Sequence, residues 1–126
     1  MPFEYERDDA QGRVVITFQG AYSRDEGFEI IQRHRDFEKY GVLYDLRGLT
    51  GEPPIADLKL LMTEESSGSQ GSRGPIALVV EDPAMYKIAC MYALLGRSML
   101  TIAVFRDRND ADVWLAAQIS NAPKGA

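Results

Sequence analysis

The chain has 126 residues, 45% of them hydrophobic and 26% charged, which suits a globular fold with one core of useful size. Its net charge of −5 argues against a nucleic-acid partner, because phosphate backbones are held by clustered Lys and Arg. A single cysteine, Cys90, and a single histidine, His34, exclude an intrachain disulfide, a thiolate metal site and a multi-histidine metal cluster, and no cofactor or metal is expected.

Residues 2–7, PFEYER, alternate: Phe3 and Tyr5 point one way, Glu4 and Glu6 the other, as in a half-exposed strand. DDAQG is turn chemistry, and residues 13–19, RVVITFQ, form a second strand with Val14, Ile16 and Phe18 on one face. The two read as a hairpin. Ser23, with Glu26 three residues on, has capping-box spacing and opens a helix. The helix is expected to run to about Tyr40, with Gly41 as its stop. Arg33 and Arg35 alternate with His34 and Asp36 and read as a solvated face, not a basic patch. His34 shares an arc with Ile30, Ile31 and Phe37 and reads as a core-edge residue.

Residues 42–46 form a third strand. Pro53 and Pro54 start a second helix, in which Ile55, Leu58, Leu61 and Met62 share a face. It dissolves into ESSGSQGSRG, residues 65–74, a Gly/Ser-rich surface loop. Residues 75–81, PIALVVE, are a fourth strand, apolar inside and therefore covered on both faces. Asp82-Pro83 opens a third helix, with Asp as cap and Pro at the first position, and Gly96 lies near its end. Residues 100–106 are a fifth strand. Asn109 caps a fourth helix carrying Val113, Trp114 and Ala117.

This order, β-β-α-β-α-β-α-β-α, predicts an α/β single domain over residues 1–120 with a frayed tail at 121–126. Its five-stranded sheet is mixed but mostly parallel, since the opening hairpin is antiparallel and the later strands alternate with helices. MPFEYERDD is acidic and lacks an apolar segment, unlike a signal peptide. The apolar run IALVV falls far short of the roughly 18 residues of a membrane span. A cytoplasmic setting without a membrane span is the expectation.

Three segments carry a family resemblance: Tyr44-Asp45-Leu46-Arg47-Gly48, VVEDPAMYKIACMYALL (79–95) and VFRDRNDADVWL (104–115). In this element order they resemble the STAS fold of anti-sigma-factor antagonists. They are more closely similar to a bacterial family of small, uncharacterised, antagonist-like proteins with an echo of CRAL-TRIO lipid-binding domains. The resemblance implies a STAS-like fold and a binding role. In the antagonists, an Asp-Ser-Ser-Gly-like motif after the third strand supplies a phosphate-accepting serine. Here that stretch is Gly51-Glu52-Pro53-Pro54-Ile55, without a hydroxyl, so the phosphorylation switch does not carry over. Thr50 lies just upstream, and Ser66, Ser67, Ser69 and Ser72 lead into the next strand at the opposite pole.

Parallel sheets bind ligands at the carboxyl ends of their strands, and three such ends are charged: Asp45 with Arg47, Glu81 with Asp82, Arg106 with Asp107. Acids and arginines there could perform acid/base chemistry or hold an anion. The structural reading is favoured: Asp82 caps the helix before Pro83, Asp107 sits in the turn before the Asn109 cap, Asp45 can bond turn amides near Gly48, and Arg47 and Arg106 can pair with these acids. GLTG is no phosphate-binding loop. No nucleophile motif accompanies His34, and Cys90 reads as packed.

The third helix is apolar nearly all round. Met85, Ile88, Ala89, Tyr92 and Leu95 form one face; Cys90, Met91 and Leu94 lie opposite, with Lys87 and Arg97 at the ends. Such a helix is normally covered on both sides. A second subunit or a nonpolar ligand could supply the cover, since Met adapts its shape and Tyr offers a polar tip. The first functional expectation is a non-enzymatic interaction module, homodimeric through this helix. It would bind a nonpolar molecule or a protein partner near Met85, Tyr86, Met91 and Leu94, with Arg47 and Arg106 at the rim. A small enzyme using Asp45, Arg47, Asp82 and Arg106 is the alternative, and a regulator without the usual phosphoserine a further one.

Overall fold

In a computed structural model, which describes residues 3–34, 39–66 and 74–121, the opening hairpin pairs β1 (Phe3–Asp8) with β2 (Arg13–Ala21), from Phe3 opposite Phe18 to Asp8 opposite Arg13. The Gln11 amide donates to Asp8 at 3.1 Å, and Gly12 takes the positive φ of 67° that turns the chain. The chain continues through α1 (Arg24–His34), β3 (Gly41–Thr50), α2 (Ile55–Ser66), β4 (Ile76–Val79), α3 (Pro83–Gly96), β5 (Ile102–Phe105) and α4 (Arg108–Asn121). Strand order is β1-β2-β3-β4-β5, with every pairing after the hairpin parallel. The expected mixed, mostly parallel α/β sheet is therefore present.

Each parallel crossover moves one strand onward in the same direction. Right-handed connections then stack their helices on one face, and α1 packs on α2 and α2 on α3. The last helix, α4, lies against β3, β4 and β5 from the other side. Strand alternation sorts the core between the two layers. Val14, Ile16, Val42, Tyr44, Ile76 and Leu78 meet Ile30, Met62 and Met85, while Leu43, Ala77 and Val79 meet Ala111 and Leu115. All of β4 is buried, as its apolar run predicts.

Several boundaries differ from expectation. Tyr40 is not helical and Gly41 begins β3, donating its amide to Gly12 at 3.0 Å. It is no helix stop. A Cβ at residue 41 would stand 2.8 Å from Ile119 Cδ1, so α4 packs directly on this bare backbone. The third strand does not end at residue 46 but runs to Thr50, because β2 continues to Ala21 and offers pairs as far as Ala21 opposite Thr50. Ile55 is 56% exposed and is not part of the buried face of α2; Glu65 is, after Leu58, Leu61 and Met62.

The expected caps are present where the side chain and helix are adjacent in sequence. The Glu26 amide donates to Ser23 Oγ at 3.4 Å, and the Met85 amide to Asp82 at 3.0 Å. At α4 the cap is Asp107, not Asn109: Asp107 accepts from the Asn109 amide at 2.8 Å, and Asn109 lies in the first turn. Val113, 64% exposed, points outward, and the inward face is Ala111 and Leu115. Glu65 and Ser66 are still helical. The rest of the expected surface loop (67–73), the span from residue 35 to 38, the His34 side chain and the tail from 122 onward lie outside the described residues.

Candidate functional site

The charged strand-end residues fold into a closed network. Side chains of β3 alternate, so Tyr44 and Leu46 face α1–α3 while Asp45 faces α4. Asp45, 4% exposed, accepts from the Arg47 amide at 3.2 Å and from the Arg47 guanidinium at 2.9 and 2.8 Å. Arg108 of α4 reaches the same carboxylate at 3.4 Å and also pairs with Asp112 at 3.2 Å. Asp112 in turn holds Arg13 of β2 at 3.2 Å. Burial pushes the Asp45 carboxyl up, but the Arg47 hydrogen bonds and the charges of Arg47 and Arg108 outweigh it, holding the carboxyl below its ordinary range. The same pairing drives the Arg47 guanidinium further up.

A β-bulge builds this corner. Thr17 pairs with Asp45 and Gln19 with Gly48, so Phe18 alone faces both Leu46 and Arg47. The bulge lies opposite Leu46 and Arg47. It also brings the backbones close: a Cβ at Gly48 would lie 2.5 Å from the Phe18 carbonyl oxygen. The pairing of Asp45 is thus with Arg47, not with a turn at Gly48.

Apart from Glu81, which joins the edge of this network through Arg47, the other strand-end residues stay out of it. Asp82 and Asp107 cap helices. Glu81 is exposed and touches Arg47 at 3.6 Å. Arg106 lies over the Tyr86 ring at 4.9 Å, a cation–π contact, and among the described residues it makes no ion pair with Asp45. Asp45, Arg47 and Arg106 therefore do not converge on one reacting centre. A carboxylate clamped by two guanidiniums is also a weak proton acceptor.

A different feature lies on the opposite face of the sheet. An apolar cavity of about 110 Å³ sits between the sheet and α1–α3. Its floor is Phe18, Tyr44, Leu46 and Leu78; its walls include Ile30 of α1, Leu58 and Leu61 of α2, and Met85, Ile88, Ala89 and Tyr92 of α3. Tyr22, Leu49 and Pro53 line the end beyond β2 and β3, and the cavity is partly open to solvent. Two small residues, Gly27 and Ala89, are part of the lining, and a Cβ at residue 27 would already stand 3.0 Å from Leu61 Cδ2.

One carboxylate enters this apolar lining. Glu65 is 1% exposed and receives the Tyr44 hydroxyl at 3.0 and 3.3 Å and the Tyr92 hydroxyl at 3.4 Å. Near the far end, the Tyr22 hydroxyl donates to Asp57 at 2.9 Å, and Arg24 lies 3.7 Å from the same carboxylate. Burial first, then the Asp57 hydrogen bond, drives the Tyr22 phenol well above its ordinary range.

Of the sequence-nominated binding residues, Met85 lines the cavity. Tyr86 is half-buried and packs against the core layer, Met91 is half-buried, and Leu94 is 59% exposed. The helix is thus covered inward by the core and only partly outward. Sequence reasoning did not nominate Glu65. Its signal was present: Leu58, Leu61, Met62 and Glu65 follow the i, i+3, i+4, i+7 spacing of one helical face. The adjoining Gly/Ser-rich run drew Glu65 into a loop instead.

No protein-family profile and no curated protein matches this sequence. Solved structures do match. An anti-sigma factor antagonist from Mycobacterium paratuberculosis superposes with a TM-score of 0.63 at 15% identity, covering 90% of this chain and 92% of that one. An uncharacterised protein of the DUF3478 family with a SpoIIAA-like fold, from Shewanella loihica, gives 0.57 at 16% identity, with the same coverages of 90% and 92%. The chain has the SpoIIAA-like, STAS-like fold. The resemblance read from the sequence holds at that level, and a fold by itself assigns no activity. Where the antagonist motif would open the helix after β3, Gly51 has a φ of 80° and α2 begins at Ile55. No helix among the described residues is long and apolar enough to cross a membrane.

Proposed function

We propose that this protein is a non-enzymatic, single-domain binding module that takes a small nonpolar molecule into the cavity beneath α1–α3. The cavity carries the reading: it is apolar, framed by rigid elements, and bordered by a few polar groups that can orient a guest, which is how small-molecule sites are generally built. The small Ala89 is part of its lining, and Met85 can adjust to a guest. Since one relative by fold is described as an anti-sigma factor antagonist, the bound state is suited to regulating a protein partner. The single cysteine fits work in the reducing cytoplasm. Methyl-resolved NMR titration with toluene tests the core of the reading. Shifts at Ile30, Leu58, Met85 and Ile88 are expected, and Ala89→Leu should abolish them. A parent protein that shows no shift overturns it.

The outer side of α3 supports homodimerisation as a second feature. Leu94 is 59% exposed and Leu95 40%, Met99 just past the helix is 54% exposed, and half-buried Met91 lies one turn before Leu94. A second copy packed there would bury these side chains, while Arg106 on Tyr86 and Arg47 remain at the polar rim. Light scattering should report a dimer that Leu94→Glu dissociates and Arg47→Ala does not. A monomeric parent overturns the dimer.

A further inference from the structure

The two edges of the sheet are built differently, and only one is guarded by charge. From that contrast we infer that two copies of this chain pair through β5, antiparallel about a two-fold axis. One continuous sheet then runs through both copies, and α3 packs on the partner's α3. This rests on the homodimer proposed above and names the strand that joins it.

The edge comes first. At one end of the sheet, β1 carries Glu4, Glu6, Arg7 and Asp8, the kind of charged edge that keeps other strands away. At the other end, β5 reads Ile102-Ala103-Val104-Phe105, with no charge and no proline. Its residues are half-buried, whereas those of β4, with a strand on either side, are all buried. The Thr101 and Phe105 carbonyls accept from the Ile76 and Val80 amides at 2.8 and 2.9 Å. Backbone groups of successive residues point to alternate sides of a strand. Those of Thr101, Ala103 and Phe105 therefore face β4, while Ile102 and Val104 present theirs outward. Among the described residues no strand pairs with that side, and a row of such groups is a template for another strand.

Symmetry and the helix layer point to a second copy as the occupant. An antiparallel pair of identical strands is two-fold symmetric and closed, so it stops at a dimer. Val104 can stand opposite the partner's Val104 or the partner's Ile102. In either register Arg106 falls opposite an apolar residue, the partner's Ile102 or the partner's Leu100, and no like charges meet across the strands. Helix α3 joins β4 to β5 and packs on β5. A helix over those two strands stands about one strand spacing from the two-fold axis. That sets α3 and the partner's α3 roughly 10 Å apart, the distance of two packed helices. On the other face, α4 packs chiefly on β3 and β4 and is set back from the edge. A strand of 4 residues is a small interface by itself. The exposed Leu94, Leu95 and Met99, where α3 leads into β5, add apolar surface toward the roughly 1,000 Å² that a specific dimer needs.

Amide hydrogen exchange followed by NMR at high and low protein concentration, alongside light scattering, decides the matter. In a monomer the Ala103 and Phe105 amides face β4 and are protected, while those of Ile102 and Val104 exchange fast. In the β5-paired dimer the Ile102 and Val104 amides are bonded in either register. They should exchange about tenfold more slowly at a protomer concentration roughly a hundred times the dissociation constant. Fast exchange should return on dilution and in Leu94→Glu. Val104→Pro removes an outward amide and no bond to β4, and should lower the scattering mass to that of a monomer. A dimer whose Ile102 and Val104 amides stay fast overturns the inference and leaves a dimer through α3 alone. Protection that dilution does not change also overturns it, since the chain's own residues would then cover the edge. A parent that is monomeric throughout removes the dimer itself, an outcome distinct from a wrong edge. Should Val104→Pro fail to fold, the exchange pattern of the parent decides.

Discussion

The Tyr44 hydroxyl donates to the Glu65 carboxylate at 3.0 Å across the gap between β3 and α2, with Tyr44 5% and Glu65 1% exposed. A strand residue and a helix residue thereby share the polar cluster of an otherwise apolar layer. Removing the donor deletes one hydrogen bond of a buried carboxylate, which is costlier than losing a solvent-exposed bond. Tyr44→Phe should destabilise the protein by roughly 1–3 kcal/mol, read from urea denaturation. Tyr92→Phe should cost less, because its bond is longer at 3.4 Å. Equal losses would show that Tyr44 has no special place in the cluster.

Asp45 gives the protein an acid-sensitive joint. Its folded carboxyl titrates below the ordinary range despite burial, because Arg47 and Arg108 hold it charged. A depressed carboxyl contributes stability above its unfolded value of about 3.9, and that stability is lost as pH falls through the lower folded value. Melting temperature measured from pH 6 down to pH 2 should therefore fall steeply below about pH 4. Asp45→Asn should start lower at pH 6 and decline less over that window. A variant that declines in parallel with the parent would remove Asp45 from the account.

The alkaline limb has the opposite sign. Tyr22 is pushed up by burial and then by the Asp57 hydrogen bond. A phenol raised in this way contributes stability that is complete below its unfolded value of about 10 and is lost as pH rises through the folded value. Tyr40, raised chiefly by its hydrogen bond to Asp9, acts in the same direction. Above about pH 10, Tyr22→Phe should lose less melting temperature than the parent, and Tyr22→Phe with Tyr40→Phe less still. Unchanged slopes would contradict the Tyr22–Asp57 coupling.

Gly48 marks the bulge that separates the charged corner from the cavity. The atom that a side chain there would strike is a backbone oxygen, Phe18 O, at 2.5 Å, which cannot rotate away. Gly96→Ala meets the flexible end of Met62 at a similar 2.5 Å, and that end can move. Gly48→Ala should cost roughly 1–3 kcal/mol, the ordinary scale of overpacking, and Gly96→Ala clearly less. Thermal denaturation of the two variants makes the comparison, and the reverse order would mean that the bulge relaxes readily.

Much of the architecture could be read locally. Ser23 with Glu26, and Asp82 followed by Pro83, announce helix starts because the capping groups are neighbours in sequence. The alternation of Val14, Ile16 and Phe18, and the uninterrupted IALVV, announce one half-buried and one fully buried strand for the same reason. Glu65 was illegible because a carboxylate beside a Gly/Ser-rich run reads as solvent-facing; its burial depends on Tyr44 and Tyr92, 21 and 27 residues away. Asp107 and Asn109 are equally good caps on paper, and only the chain's path chose between them.

What the amino-acid order determined by itself was the succession of strands and helices, and hence a mostly parallel sheet, since short-range periodicity and capping are properties of neighbouring residues. Tertiary structure alone decided that Asp45 and Arg47 turn toward α4 while Tyr44 turns toward Glu65, so that the charged corner and the apolar cavity occupy opposite faces. That division follows from strand alternation combined with a bulge whose existence depends on β2 continuing alongside β3, a pairing between residues almost thirty positions apart.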